Sequence, residues 1–196
     1  MKRLIYIILV LPFLLPACGE KINYEYQIQQ WIKAHNEHNV TKELTFYPDD
    51  AVIIFPSDTI KGTTALRNLF EYDSVMNNVL TAKDLLIHHD TVIINSFTDQ
   101  FDFGRLSGIN ELHSLPGMKM IFRNGLIQTT ETTKITQEDQ KNLDQLISDI
   151  ALWMQDKYPY ASQEFIETHK LSRHTTETAL MHMKILKEYL SSKSNK

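Results

Sequence analysis

Residues 118–133, MKMIFRNGLIQTTETT, hold the reading on which the fold turns. Met118 to Phe122 and Leu126 to Thr133 are β-prone runs, and Asn124-Gly125 stands between them. That pair tolerates the positive φ angles of a two-residue hairpin turn, so the stretch predicts two antiparallel strands joined tightly. A two-residue turn pairs Phe122 with Ile127, Met120 with Thr129 and Met118 with Glu131, which puts Glu131 on the methionine face. A longer turn shifts the register and sends Glu131 outward.

Working outward, Leu85-Leu86-Ile87, a turn at His88-His89-Asp90, and Val92-Ile93-Ile94 predict a second hairpin whose later strand runs to about Phe103. Strict alternation along it places Ile93, Asn95, Phe97, Asp99, Phe101 and Phe103 on one face. Before the hairpins the period is helical. Tyr24, Ile28, Trp31, Ile32 and His35 share one face, and a short helix spans Thr41 to Tyr47 and stops at Pro48. Ala51 to Phe55 is a strand broken by Pro56-Ser57-Asp58. Thr63 to Met76 is a helix with Leu66, Leu69, Phe70 and Asp73 on one side. Helix, helix, strand, helix and then strands predict an α+β class, with helices packed on one face of a curved antiparallel sheet.

Beyond Thr136 the strands stop. Leu143, Leu146, Ile147, Ile150, Trp153 and Met154 form a helical stripe that ends at Tyr158-Pro159, and a second helical stretch runs from about Ser162 to Leu190. This C-terminal helical extension, residues 136–196, has three open fates: capping the main domain, forming a homodimer, or docking a partner.

The first residues carry a different message. Met1-Lys2-Arg3 is basic, and Leu4 to Leu15 is apolar apart from Pro12, too short to span a bilayer at about 20 residues per helix. Leu15-Pro16-Ala17-Cys18 resembles a bacterial lipobox, with the single cysteine of the chain where lipidation requires it. The expectation is a signal peptide over 1–17, an acylated Cys18 anchored in the lipid bilayer, and a tether over 18–23. Gly19, in place of an aspartate, points to the periplasmic face of the outer membrane. Cleavage removes two of the 20 basic residues and none of the 24 acidic ones, taking the net charge from −4 to −6. That acidity argues against a nucleic-acid partner. One cysteine excludes an internal disulfide framework and a multi-cysteine zinc site.

Three stretches taken together carry a resemblance. Trp31-Ile-Lys-Ala-His-Asn-Glu-His-Asn39, Leu44-Thr-Phe-Tyr-Pro-Asp-Asp-Ala51 and Ile60-Lys-Gly-Thr-Thr-Ala-Leu66 resemble the nuclear transport factor 2-like superfamily. Phe122-Arg-Asn-Gly-Leu-Ile127 is similar to its final hairpin. The resemblance implies a cone, the cystatin-like α+β roll, over residues 24–135. It also implies that the sheet's inner face lines a pocket, with Trp31, His35, Phe55, Phe70, Asn95, Phe97, Phe101, Met118, Met120 and Phe122 around it. Against the ketosteroid isomerases of that superfamily, the positions of the oxyanion-donating tyrosine, the general base and the protonated acid read Trp31, Phe55 and Met118. Neither Phe55 nor Met118 can carry a proton, so steroid isomerisation is disfavoured.

Asp99 is then the candidate catalytic carboxylate. Among aromatic neighbours it would be desolvated and basic; near the rim it would be solvated or paired with Arg105. The histidines show no ligand spacing that predicts a metal: His35 and His38 diverge on their helix, and His174 and His182 lie about 11 Å apart along a helix axis. No phosphate loop or nucleophile motif implies a cofactor. Two functions are expected from these residues. The first is an envelope lipoprotein binding a small apolar or amphipathic ligand without catalysis. The second is an isomerase, dehydratase or cyclase with Asp99 as general base.

Overall fold

The computed structural model describes residues 22–158 and 174–194, with Gln163 and Phe165. The expectations for residues 1–21, Cys18 included, and for a helix start near Ser162 lie outside the described residues. Helix α1 (Tyr24–Asn36) starts where the Asn23 side chain accepts the Tyr26 N–H, and α2 (Val40–Leu44) is capped in the same way by Asn39 on Lys42. Strands β1 (Val52–Ile54) and β2 (Thr59–Lys61) form a short hairpin, and α3 (Thr63–Val75) follows. The long strands β3 (Val79–His88) and β4 (Thr91–Gln100) come next, then α4 (Asp102–Leu106), β5 (Leu112–Ser114), β6 (Met118–Arg123) and β7 (Leu126–Thr132). Helices α5 (Gln137–Lys157) and α6 (Thr176–Ser194) end the described chain. Among the described residues no helix is long and apolar enough to cross a membrane.

The strands make one sheet in the order β2-β1-β7-β6-β4-β3, with β5 also on β4. Every pair is antiparallel except β1 with β7, which is parallel, so the sheet is mixed rather than antiparallel throughout. No hairpin links β1 to β7, so no tight turn dictates their relative direction.

Two departures from strict alternation decide which side chains face inward. In the last hairpin the turn is the two-residue one, Arg123 opposite Leu126 and Phe122 opposite Ile127. Beyond it Ile121 pairs with Thr129, leaving Gln128 as an extra residue. The shift puts Thr130 opposite Met120 and Glu131 opposite Lys119, whose ammonium lies 3.3 Å from the carboxylate. In β4, Val92 and Ile94 are buried, Asn95 is exposed and Phe97 is buried again, so the inward set skips a residue. The break lies where β4 changes partner from β6 to β5 and where Asp84 on β3 takes a φ of +56°. The Gly117 N–H reaches both Ile94 O (2.9 Å) and Asn95 O (3.2 Å).

The expected continuation of this strand to Phe103 is also corrected: it ends at Gln100, and Asp102 opens α4. The Asp102 N–H donates to Met76 O at 2.8 Å and the Asp102 carboxylate holds Arg105 at 2.7 Å, so local bonding turns the chain away from the sheet.

One core lies between the sheet and helices α1 and α3, centred on Ile28, Trp31, Leu66, Phe70 and Met120. A second core joins Met76 and Phe103 to Ile150 and Met154 of α5 and to Ala179, Met183 and Leu186 of α6. The C-terminal helices are therefore packed against α3 and α4 by buried apolar side chains. Trp153, expected within the stripe, is half-buried against the rings of Tyr158 and Tyr189.

Candidate functional site

Inside the curve of the sheet lies a cavity of about 300 Å³. Helix α1 contributes Trp31 and His35 to its wall, and α2 contributes Glu43. Helix α3 contributes Leu69, Phe70, Tyr72 and Asp73, and β4 contributes Phe97 and Asp99. Asn78 enters between α3 and β3, Met118 and Thr130 come from the last hairpin, and Leu143 and His174 from the C-terminal segment. The His174 ring stacks on Phe55 (centroids 6.1 Å apart) and meets Tyr72 edge-on (5.0 Å), so that segment completes one side of the cavity.

Its polar groups are few and strongly perturbed. His35, 4% exposed, places Nδ1 2.9 Å from Glu43 Oε1, itself 2% exposed. Burial works against the imidazolium, but the Glu43 hydrogen bond and charge, with Asp73 and Asp99 behind them, outweigh it and raise the His35 pKa. Desolvation lifts Asp73 to about 7, with Asp99 and Glu43 adding repulsion and His35 and Asn78 opposing. Desolvation likewise lifts Asp99 to about 6 against His35, the Asn78 hydrogen bond and the more distant charge of Arg105. Burial and then the charge of Glu43 push Tyr47 well upward, so its hydroxyl stays neutral.

Several of these groups are incompletely satisfied. The enclosed Trp31 Nε1 and Thr130 Oγ1 approach the Tyr47 hydroxyl, whereas His35 Nε2, Asn78 Oδ1 and Asp99 Oδ1 are enclosed with no hydrogen-bond partner among the described residues. Each such atom costs about 1–3 kcal/mol. Several around one void mark a place that a polar ligand or water completes. Chemically, the arrangement offers two neighbouring carboxylates that hold protons into the neutral range, inside an apolar wall. Among the described residues no three or more His, Cys, Asp or Glu are grouped to hold a metal ion.

No protein-family model matches the chain, and no curated protein does. Among solved structures, it is similar to a nuclear transport factor 2-like protein from Cytophaga hutchinsonii, at 10% identity, 63% of this chain, 98% of that one and a TM-score of 0.49. It is also similar to SalBIII, described as an epoxide hydrolase/cyclase-like enzyme in pyran ring formation in the polyether salinomycin. That match has 14% identity, 59% of this chain, 92% of that one and a TM-score of 0.50. A protein from Methylobium petroleophilum described as having a cystatin-like fold matches at 16% identity, over 57% and 74% of the two chains, with a TM-score of 0.47. Those neighbours are described as nuclear transport factor 2-like, cyclase-like and cystatin-like, and the match at a TM-score of 0.50 marks a shared α+β fold over 59% of this chain. At these identities the likeness speaks for the fold alone.

Within the curve of the sheet, Trp31, His35, Phe55, Phe70, Phe97, Asp99, Phe101 and Met118 line one cavity. Three residues expected there do not. Asn95 is exposed, because the skipped residue in β4 turns it to the outer face. Met120 and Phe122 are buried in the first core without reaching the cavity wall. Asp99 is not paired with Arg105, whose guanidinium is bound instead to Asp102. Asp73, Asn78, Glu43 and Tyr47 join the site without having been singled out for it. Asp73 alone had a visible signal, a carboxylate on the apolar side of a helix with Leu66, Leu69 and Phe70.

Proposed function

We propose that the cavity is an acid–base site for a small, predominantly apolar substrate, with Asp99 as the proton acceptor and Asp73 as its proton-holding neighbour. The observation that carries this reading is the pair itself: carboxylates raised to about 6 and about 7 around one apolar void, with an Asp99 oxygen left unpartnered. Near neutral pH, interacting carboxylates of this kind share protons, so one can accept while the other donates. Asp99 would take a proton from carbon or oxygen, and Asp73 would deliver one to another atom or to a departing hydroxyl. That suits isomerisation, dehydration or cyclisation. The description of SalBIII as an epoxide hydrolase/cyclase-like enzyme supports the reading, since its fold is the same.

Binding without catalysis is the competing reading. It is favoured by Phe55 and Met118, apolar wall residues at positions where the isomerase resemblance implies proton carriers. One experiment separates the two. A panel of enolisable ketones, β-hydroxy ketones and epoxides is incubated with the protein in deuterium oxide, and turnover and label incorporation are followed by NMR. The acid–base reading expects turnover that Asp99→Asn lowers by about 10²-fold or more. Absence of turnover across the panel, or an equally active Asp99→Asn variant, sinks it in favour of binding alone.

We further propose that the mature chain begins at acylated Cys18 and is held at the periplasmic face of the outer membrane. Support comes from the apolar run over residues 4–15 and from the single cysteine directly after Leu15-Pro16-Ala17. Metabolic labelling with an alkyne fatty acid should mark the parent and not Cys18→Ala, and the variant should leave the membrane fraction. Label retained in Cys18→Ala would refute the anchor.

A further inference from the structure

The charge of the cavity is one-sided. Among the described residues its wall carries Glu43, Asp73 and Asp99 and neither lysine nor arginine. His35 is committed through Nδ1 to Glu43. Arg105, whose field reaches Asp99, is held by Asp102 at 2.7 Å and by the backbone oxygen of Asn77 at 2.7 Å. Asp73 and Asp99 are left with the Asn78 amide as their hydrogen-bonding side chain, and Asp99 Oδ1 is enclosed without a bond. An enclosed carboxylate oxygen without a donor is the feature that calls for a ligand rather than a solvated acidic patch.

The remaining wall says which ligand. Eight Phe, Tyr and Trp side chains line the same void. Aromatic faces attract cations, and rings beside carboxylates are the chemistry that recognises alkylated ammonium groups. A neutral hydrocarbon offers the enclosed Asp99 Oδ1 nothing polar, and an anion is repelled by whichever carboxylate is ionised. A hard metal ion demands six or more oxygen ligands, which this mostly carbon wall does not offer.

We propose that the cavity takes a small organic ammonium, tertiary or quaternary, with its charged head between Asp73, Asp99 and the aromatic wall. This names the substrate class of the acid–base site above and rests on the reading that the cavity is a ligand site. A cation seated there favours ionisation, and Asp99, the more acidic of the two, gives up its proton first and is readied as a base while Asp73 is the one that keeps a proton longer.

The test compares choline with 3,3-dimethylbutan-1-ol, its uncharged carbon isostere, by isothermal titration calorimetry on the full chain at constant ionic strength. Choline is expected to bind at least tenfold more tightly. Asp73→Asn and Asp99→Asn, both near-isosteric, should each cut choline affinity tenfold or more and leave the alcohol unchanged, with thermal midpoints reporting that both variants fold. Choline binding no tighter than the alcohol, or a preference that survives in both variants, overturns the proposal. The deuterium experiment judges the acid–base reading separately. Turnover lost in Asp99→Asn without a choline preference removes only the substrate class, and a choline preference without turnover removes only the chemistry.

Discussion

A carboxylate whose pKa rises on folding binds a proton in the native state that the unfolded chain has already released. For Asp73, raised to about 7, and Asp99, raised to about 6, that window runs from about pH 4 to about pH 7. Within it the native state holds more protons than the unfolded one, so stability falls as pH increases. His35 acts in the same direction: its raised pKa contributes stability below its unfolded value near 6.5 that is lost as pH climbs through the folded value. Asp50 and Asp139 are shifted down, so their contribution is lost only at more acidic pH, below this window, while His174, lowered by burial, opposes the trend up to about pH 6.5 as one group against three. Thermal melts should therefore show a higher midpoint at pH 5 than at pH 8, with a difference of a few kcal/mol as an order of magnitude. Asp73→Asn and Asp99→Asn should each flatten that slope and raise the midpoint at pH 8. A profile equally flat in the parent would contradict the assignment. Glu43 is a different case: Glu43→Ala leaves the buried His35 without its partner and should cost about 3–5 kcal/mol, read by denaturant titration.

Strand register is where alternation failed as a guide. The Asn124-Gly125 turn formed with the expected pairing of Phe122 and Ile127, yet Gln128 bulges out and moves Thr130, not Glu131, to the interior. Alternation in β4 failed at Asn95 for a related reason, a break enforced by neighbours on β3 and at Gly117 rather than by β4 itself. Gly117 is required by close approach: a Cβ there would lie 2.4 Å from Phe97 Cβ and 2.7 Å from Ile94 O. Gly117→Ala should cost roughly 3 kcal/mol or more, visible as a lowered denaturation midpoint. Deleting Gln128 would remove the bulge and leave Thr130 opposite Met120 and Glu131 opposite Lys119, because the chain then reaches the observed register by regular pairing. The deletion should therefore leave the denaturation midpoint close to the parent's, and a loss of several kcal/mol, of the order expected for an unpaired buried charge, would show that the register had slipped and carried Glu131 inward.

Across the whole molecule, two cores are fused through α3, α4 and the C-terminal helices. Leu186, fully buried in the second core, should on replacement by alanine cost about 2–5 kcal/mol. Hydrogen exchange in Leu186→Ala should quicken across α6 first, with the β4–β6 amides least affected. Uniform acceleration would mean that the two cores unfold as one. What the residues determined by themselves was local. The helical faces of α1 and α3, the two-residue turn and the α+β order follow from periodicity and φ preferences acting over a few neighbours. The site lay beyond that reach. Asp73 and Asp99 stand 26 residues apart on a helix and a strand, and His174 comes from beyond the last strand and α5. Only the packing of α3 over a bulged sheet brings these groups around one void, because register, desolvation and charge proximity arise between distant parts of the chain.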